Sequence, residues 1–115
     1  MRLALAPLLL ALAACATGAG ENPRYEWASY EKSAWRLAEN RDGISIADEI
    51  RVITIGIEQA DAHARLVPPG VHAHLGYLYA ITGNPDSAIQ QFEIEKQLYP
   101  EATVFLDGCI QRMKR

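Results

Sequence analysis

The chain has 115 residues, of which 50% are hydrophobic and 22% charged, and this balance is typical of one globular domain and not of a wholly disordered chain. Eleven lysines and arginines against fourteen aspartates and glutamates give a net charge of -3, which excludes a general attraction to nucleic acid phosphates. Basic residues cluster only at Arg112, Lys114 and Arg115, where we expect the solvated end of a helix, with contact to an anionic surface as the alternative.

The first residues have the layout of a signal peptide. A positive charge at Arg2 is followed by an apolar run over residues 3–12 and by the small residues Ala13 and Ala14. The apolar run is shorter than the roughly 20 residues that a transmembrane helix needs. We therefore predict that residues 1–14 are a signal peptide and not a permanent membrane span.

Residues 12–15, with the sequence Leu-Ala-Ala-Cys, resemble the lipobox of bacterial lipoproteins. In those proteins the cysteine is linked to diacylglycerol, becomes the N-terminus after cleavage and receives a further acyl chain such as palmitate. The resemblance implies a lipid anchor at Cys15, and Ala16 after it implies sorting to the periplasmic face of the outer membrane. The alternative is an ordinary secretory signal that is cut after the Ala-x-Ala at residues 11–13.

The small and polar residues up to Pro23 are typical of a flexible tether of about 16 Å, which would keep the rest of the chain close to the bilayer. If Cys15 carries lipid, Cys109 has no partner for an intrachain disulfide. We expect Cys109 to be a small buried hydrophobe, with a reactive or intermolecular thiol as the alternative. The chain thus divides into a signal peptide at 1–14, a lipidated cysteine with its tether at 15–23, and a helical domain at 24–115.

The domain opens with an aromatic segment at residues 25–31, which we expect to run into a first helix that ends near residues 40–43. Trp27 and Trp35 are eight residues apart and would share one face of that helix. We interpret them as packing residues, with an aromatic patch that faces a partner as the alternative. Other residues that recur at helical spacing are Tyr30, Ala34, Leu37 and Ala38.

A second helix is predicted from Ser45 to near Val67. A strand over residues 52–57 is the alternative, because β-branched residues favour strands and Gly56 weakens a helix by about 1 kcal/mol. The Pro-Pro-Gly at residues 68–70 ends this helix and permits a new start. The helix is favoured because one apolar stripe advances by steps of four and three through Ile46, Ile50, Ile53, Ile57, Ala60 and Ala64.

Residues 69–100 predict a helical hairpin whose spacing resembles a tetratricopeptide repeat. Small Gly76 and Ala88 would let two antiparallel helices approach closely. The pattern is broken by His72, where tryptophan is usual, and by Glu95, where a small residue is usual; the charge indicates looser packing or a hydrogen-bonded partner. The residues that match the repeat are Leu75, Gly76, Tyr79, Ala88, Phe92 and Pro100.

The sequence also predicts the turn of this hairpin and a last helix after it. Gly83 suits a left-handed helix end, Asn84 an N-cap and Pro85 a first helical turn. A last helix over residues 101–113 would cover the apolar face that the hairpin leaves exposed. Its predicted stripe consists of Ala102, Phe105, Cys109 and Met113, with Leu106 and Ile110 beside it.

These elements predict an all-α, tetratricopeptide-like domain of about five helices. Together with the lipobox, several segments resemble a family of small bacterial lipoproteins that is catalogued only as a domain of unknown function. Its genes often neighbour those of lipoproteins similar to the curli secretion channel, which implies a role in a cell-envelope assembly, and the family supplies no catalytic residues. The segments that carry the resemblance are residues 25–31, 68–70 and 75–79, Phe92, Glu95 with Lys96, and 99–101.

Neither a metal site nor an active site is expected. His72 and His74 are two positions apart, about 200° around a helix, so they cannot bind one ion from the same face. His63 with Asp61 would have to meet one of them across the Pro-Pro-Gly turn. No nucleophile motif, phosphate-binding loop or paired metal-ligand spacing is present, so we predict no enzyme, no metal and no cofactor.

With no enzymatic or metal-binding role predicted, protein binding is the function that we expect. In tetratricopeptide arrays the first helices of successive hairpins line a concave groove, and the matching positions here are Glu31, Trp35, Ala73 and Tyr77. The alternative is that both aromatic rings are core residues. We predict an outer-membrane lipoprotein that acts as an adaptor or assembly factor for an envelope protein. The alternatives are a homo-oligomeric structural lipoprotein without a dedicated client and, less favoured, a small-ligand or metal binder.

Overall fold

The computed structural model describes residues 24–27, 30, 38–39 and 45–115. All regular elements of these residues are helical, so the predicted all-α fold class is confirmed. The signal peptide, Cys15 and the tether lie outside the described residues, as does most of the predicted first helix, of which Tyr30 and Ala38 are helical. The helices are α1 (Ile46–Ala62), α2 (Val71–Ile81), α3 (Pro85–Leu98), a short 3-10 helix (Pro100–Ala102) and α4 (Thr103–Met113).

Helix α1 begins with a capping box, in which the Ser45 hydroxyl accepts a hydrogen bond from the backbone N–H of Asp48 at 3.1 Å and the Asp48 carboxylate accepts one from the Ser45 N–H at 3.3 Å. Residues 52–57 are helical, which confirms the helix over the strand. The predicted end near Val67 is wrong, because the helix ends at Ala62 and Ala64 adopts a left-handed conformation with φ 51°.

Helices α2 and α3 form the predicted antiparallel hairpin. Gly76 marks the closest approach, since a Cβ atom there would lie 2.5 Å from the Phe92 ring and 3.0 Å from the carbonyl oxygen of Ala88. Gly83 has the expected left-handed conformation, with φ 82°, and Pro85 is the first residue of α3. Asn84 occupies the N-cap position, but its side chain donates to the carbonyl of Thr82 at 3.3 Å and does not cap α3.

Two apolar clusters hold the helices together. The first joins α1 to α2 through Ile53, Val71, Leu75 and Leu78. The second joins α3 to α4 through Ala88, Phe92, Leu106 and Ile110. Tyr79 packs against both clusters, so α2 is the element that connects the two halves of the described core.

The orientation of α4 differs from the prediction. Leu106 and Ile110 form its buried centre, whereas Phe105, predicted to lie in the covered stripe, is 71% exposed. The reason is that Leu106 and Ile110 pack against α3 in the second cluster, which leaves Phe105 outside it. The other members of the predicted stripe, which are Ala102, Cys109 and Met113, do pack against that cluster. Cys109 is half-buried against the second cluster, with the Arg112 Nη2 atom 3.5 Å from its Sγ. No helix within the described ranges is long and apolar enough to cross a membrane.

Candidate partner-binding groove

A groove of about 330 Å³ lies between the first turn of α2, the last turn of α3 and the first half of α4. Its apolar wall is built by Ala73, Ala102 and Phe105, and Glu95 lies at its base. We call it the α2–α4 groove. Because Phe105 is largely exposed, the groove offers an aromatic ring to water that a bound partner could cover.

The base of the groove is organised by Glu95, a buried carboxylate on α3. Its Oε1 accepts a hydrogen bond from the backbone N–H of Gly70 at 2.6 Å, and its Oε2 accepts one from that of Ala73 at 3.3 Å. The first amides of a helix have no intrahelical partner, and Gly70 at the N-cap has no side chain to supply one. Glu95 therefore caps α2 from the neighbouring helix. Of the two predictions for this charge, looser packing or a hydrogen-bonded partner, the hydrogen-bonded partner is confirmed.

The rim of the groove carries negative charge. The hydroxyl of Tyr99 donates to the carbonyl oxygen of Val67 at 2.5 Å. Burial raises the pKa of Tyr99, and the nearby Tyr25, Glu95 and Glu101 raise it further. Among the described residues that line the groove there is no lysine or arginine. A partner with a positive charge beside an apolar anchor would complement this surface.

Two of the four predicted partner-binding residues lie in the described part of the chain. Ala73 lines the α2–α4 groove. Tyr77 lies four residues further along the same face of α2 and is 55% exposed, so the alternative that its ring is a core residue is wrong. Glu31 and Trp35 lie outside the described residues, so their predicted place beside Ala73 and Tyr77 stays a prediction.

Most of the residues that match the repeat pattern lie in the apolar core and pack the helices together. Leu75, Ala88 and Phe92 are buried, and Tyr79 is half-buried between the two clusters. Pro100 is exposed and begins the 3-10 helix. His72, where the pattern has tryptophan, is buried with its Nδ1 atom 2.7 Å from the Oε1 atom of Gln91 on α3. That polar contact was not predicted, because the sequence pattern does not show which side chains of α2 and α3 face each other.

A second feature that sequence reasoning missed is a buried polar pair between α1 and α2. The side chain of Glu49 is fully buried, and its Oε1 atom lies 3.9 Å from the Nε2 atom of His74. None of the described residues forms a hydrogen bond with the Glu49 carboxylate or with that nitrogen. The ring of Tyr30 meets the His74 ring edge-on, with centroids 6.0 Å apart. Burial lowers the pKa of His74, while the Glu49 charge opposes this effect, so His74 is neutral at neutral pH.

The lowered pKa of His74 predicts a pH dependence of stability. Just below pH 6.5 the unfolded chain binds more protons at this histidine than the folded chain, so the free energy of unfolding falls as the pH falls through that window. We expect His74→Gln to lose this part of the pH dependence. Urea unfolding of both proteins at a series of pH values measures it, and identical profiles would contradict the assignment.

Nothing in the described residues favours a metal or small-ligand site. The three histidines have separate neighbours, and no group of three or more histidine, cysteine, aspartate or glutamate side chains is placed to hold an ion among those residues. A second cavity lies between Glu26 and Trp27 on one side and α1 on the other. It is mostly apolar and has a volume of only about 10 Å³. A cavity of that size holds at most one water molecule.

Comparison with known families decides the affiliation. The model of the family described as Domain of unknown function (DUF4810) matches residues 24–109. The chain belongs to this family. The DUF4810 match covers both walls of the α2–α4 groove and the Glu95 cap, together with most of the residues that the structure describes. No curated protein and no solved structure was found to be similar to the chain.

Proposed function

We propose that this DUF4810 chain is a lipoprotein, anchored through Cys15 to the periplasmic face of the outer membrane, that binds a protein of a cell-envelope assembly as an adaptor or assembly factor. The observation that carries the proposal is the α2–α4 groove with its exposed ring, Phe105. Tyr77, a second exposed ring on α2, lies outside the groove lining, one helical turn from Ala73. Burying one such side chain on a partner contributes about 1.5–3 kcal/mol. Aromatic residues of this kind are the usual anchors of protein interfaces.

The packing of the hairpin supports a tetratricopeptide-like arrangement. Gly76 brings α2 against α3 at backbone distance, as the repeat pattern requires. In such arrays the first helix of each hairpin faces the concave side, which gives α2 and α4 the role of groove-lining helices. Ala73 then belongs to one wall and Phe105 to the facing wall, and Tyr77 is exposed one helical turn beyond Ala73 on α2.

The groove is tested by capture of the partner. We expect the double variant Tyr77→Ala and Phe105→Ala to lose most of the protein that crosslinks to the wild type in intact membranes, measured by pull-down and mass spectrometry. The matched control is Val104→Ala, because Val104 precedes Phe105, is 89% exposed and does not line the groove. If the double variant keeps its helical circular dichroism and captures the same protein at the same yield, the groove is not the binding site.

The lipid anchor is tested by labelling. Cleavage before Cys15 would leave 115 − 14 = 101 residues, and several acyl chains, at about 0.8 kcal/mol for each buried methylene, would hold them on the bilayer. We expect the wild type to incorporate labelled palmitate and Cys15→Ser to incorporate none. Cys109→Ser is the matched control, because it removes the other cysteine and should keep the label. Equal labelling of the wild type and Cys15→Ser would exclude the anchor.

A second candidate function is a self-associating structural lipoprotein without a dedicated client. It is favoured by α4, where the adjacent apolar side chains of Val104 and Phe105 are both largely exposed and could be covered by a second copy of the chain. Size-exclusion chromatography of the detergent-free domain separates the two functions. An adaptor that awaits its client runs as a monomer, whereas a structural lipoprotein runs as an oligomer.

A further inference from the structure

An aromatic patch lies at the point where the chain enters the folded domain. Tyr25 pairs with Leu66 in an isolated β-bridge, and residues two apart at such a pairing, as Tyr25 and Trp27 are, point to the same side. Their rings accordingly meet edge-on, with centroids 6.1 Å apart. Glu26 between them points inward, is nearly buried, and lies within 2.8 Å of His63 Nδ1 and 3.3 Å of Arg65 Nη1. The outward side of the segment is therefore aromatic, and its one carboxylate is turned away.

Leu66 extends this patch. Its backbone pairs with the segment on both sides, with the Glu26 N–H donating to the Leu66 carbonyl at 3.0 Å and the Leu66 N–H donating to the Arg24 carbonyl at 2.8 Å. Leu66 is 49% exposed and Trp27 is 40% exposed. We call Tyr25, Trp27 and Leu66 the Trp27 patch. Arg24 and Arg65, both at the surface, flank it in sequence on its two strands of chain.

This combination of side chains suits a bilayer surface. Tryptophan and tyrosine collect at membrane–water interfaces because their rings have an apolar body and a polar edge. Arginine places its apolar stem along such a surface, and at Arg65 one guanidinium nitrogen lies 3.3 Å from Glu26 at the same time. A protein partner would also accept aromatic rings, but the position of the patch in the chain favours the membrane.

The short chain between Cys15 and Arg24 limits how far the Trp27 patch can lie from the lipid anchor. Residues 16–23 are all that separate Cys15 from Arg24, so the two Cα atoms are at most about 32 Å apart, whatever the conformation between them. A lipid on Cys15 would thus hold the Trp27 patch at the bilayer at a high effective concentration. We infer that the Trp27 patch binds the lipid surface as a second contact beside the acyl anchor, an inference that rests on the proposed lipidation of Cys15. The domain then has a fixed orientation on the membrane.

The test uses the lipidated protein in vesicles of phosphatidylethanolamine and phosphatidylglycerol, with lipids brominated on the acyl chain as the quencher. The chain has two tryptophans, so the loss of emission on passing from plain to brominated vesicles is compared between the wild type and Trp27→Phe. We expect a blue-shifted, quenched component in the wild type that Trp27→Phe lacks. The control is Trp27→Phe with Val104→Trp, which places the second tryptophan at the most exposed apolar position of α4 and should not be quenched.

The outcomes distinguish this inference from the anchor. Quenching that is no greater in the wild type than in the control overturns the membrane contact while leaving the anchor in place. A protein that does not float with the vesicles overturns both. If Trp27→Phe lowers capture of the envelope protein and the quenching difference is absent, the patch belongs to the protein interface and the membrane contact is again overturned.

Discussion

Glu95→Ala is expected to lower the free energy of unfolding by about 3 kcal/mol, because it removes the acceptor of the half-buried backbone N–H groups of Gly70 and Ala73. The buried carboxylate is also replaced by a smaller group, which leaves a cavity between α2 and α3. Urea unfolding followed by circular dichroism measures the loss. The effect should appear as a lower midpoint with an unchanged slope.

The matched control is Glu95→Gln, which has nearly the same shape and keeps one carbonyl oxygen for the N–H of Gly70. Its loss of stability should be clearly smaller than that of the alanine variant. If both substitutions cost the same, the charge and not the hydrogen-bond geometry is what α2 requires. If neither lowers stability, Glu95 does not cap the helix in solution.

Gly76→Ala is expected to destabilise the hairpin although alanine favours helices more than glycine does. The added methyl would lie 2.5 Å from the Phe92 ring and 3.0 Å from the Ala88 carbonyl oxygen, so α2 and α3 must move apart. Overpacking of this kind costs about 1–3 kcal/mol, against a gain in helix propensity of about 1 kcal/mol. The expected balance is a loss of up to about 2 kcal/mol, measured by thermal or urea unfolding.

Gly56→Ala is the matched control for that experiment. Gly56 also lies inside a helix, α1, but no heavy atom beyond its own helix backbone would come within 4 Å of the added methyl. The same substitution should therefore raise stability, by up to about 1 kcal/mol. Opposite signs at the two positions support the close approach of α2 and α3, and a stabilised Gly76→Ala would refute it.

The parts of the fold that the sequence predicts well are those set by local chemistry. Gly83 and Pro85 mark the hairpin turn because their backbone preferences depend on no distant contact. Gly76 and Ala88 predict a close approach of α2 to α3, because few residues are small enough to permit one. Ala73 and Tyr77, by contrast, are predicted from the resemblance to tetratricopeptide arrays, and the structure has Ala73 half-buried in the groove and Tyr77 exposed.

The parts that the sequence does not predict depend on which elements meet. Ala64 leaves the helix although its spacing fits the apolar stripe, because the next residues pair with the segment around Tyr25. Phe105 is exposed because α4 packs on α3 through Leu106 and Ile110. Likewise, the facing positions of Glu49 and His74 follow from the packing of α1 on α2 and not from either helix alone.

The Glu95 cap also determines how the backbone of α2 exchanges hydrogen with water. Amides in the first turn of a helix usually exchange quickly, since they have no partner within the helix. The amides of Gly70 and Ala73 instead donate to the Glu95 carboxylate of α3. The next residue, Lys96, forms an ion pair with Asp107 of α4 at 2.5 Å, which ties the same end of α3 to α4. Exchange at these two amides therefore requires their hydrogen bonds to Glu95 to break, so their exchange rates report on the contact between α2 and α3 and not only on fraying of one helix end.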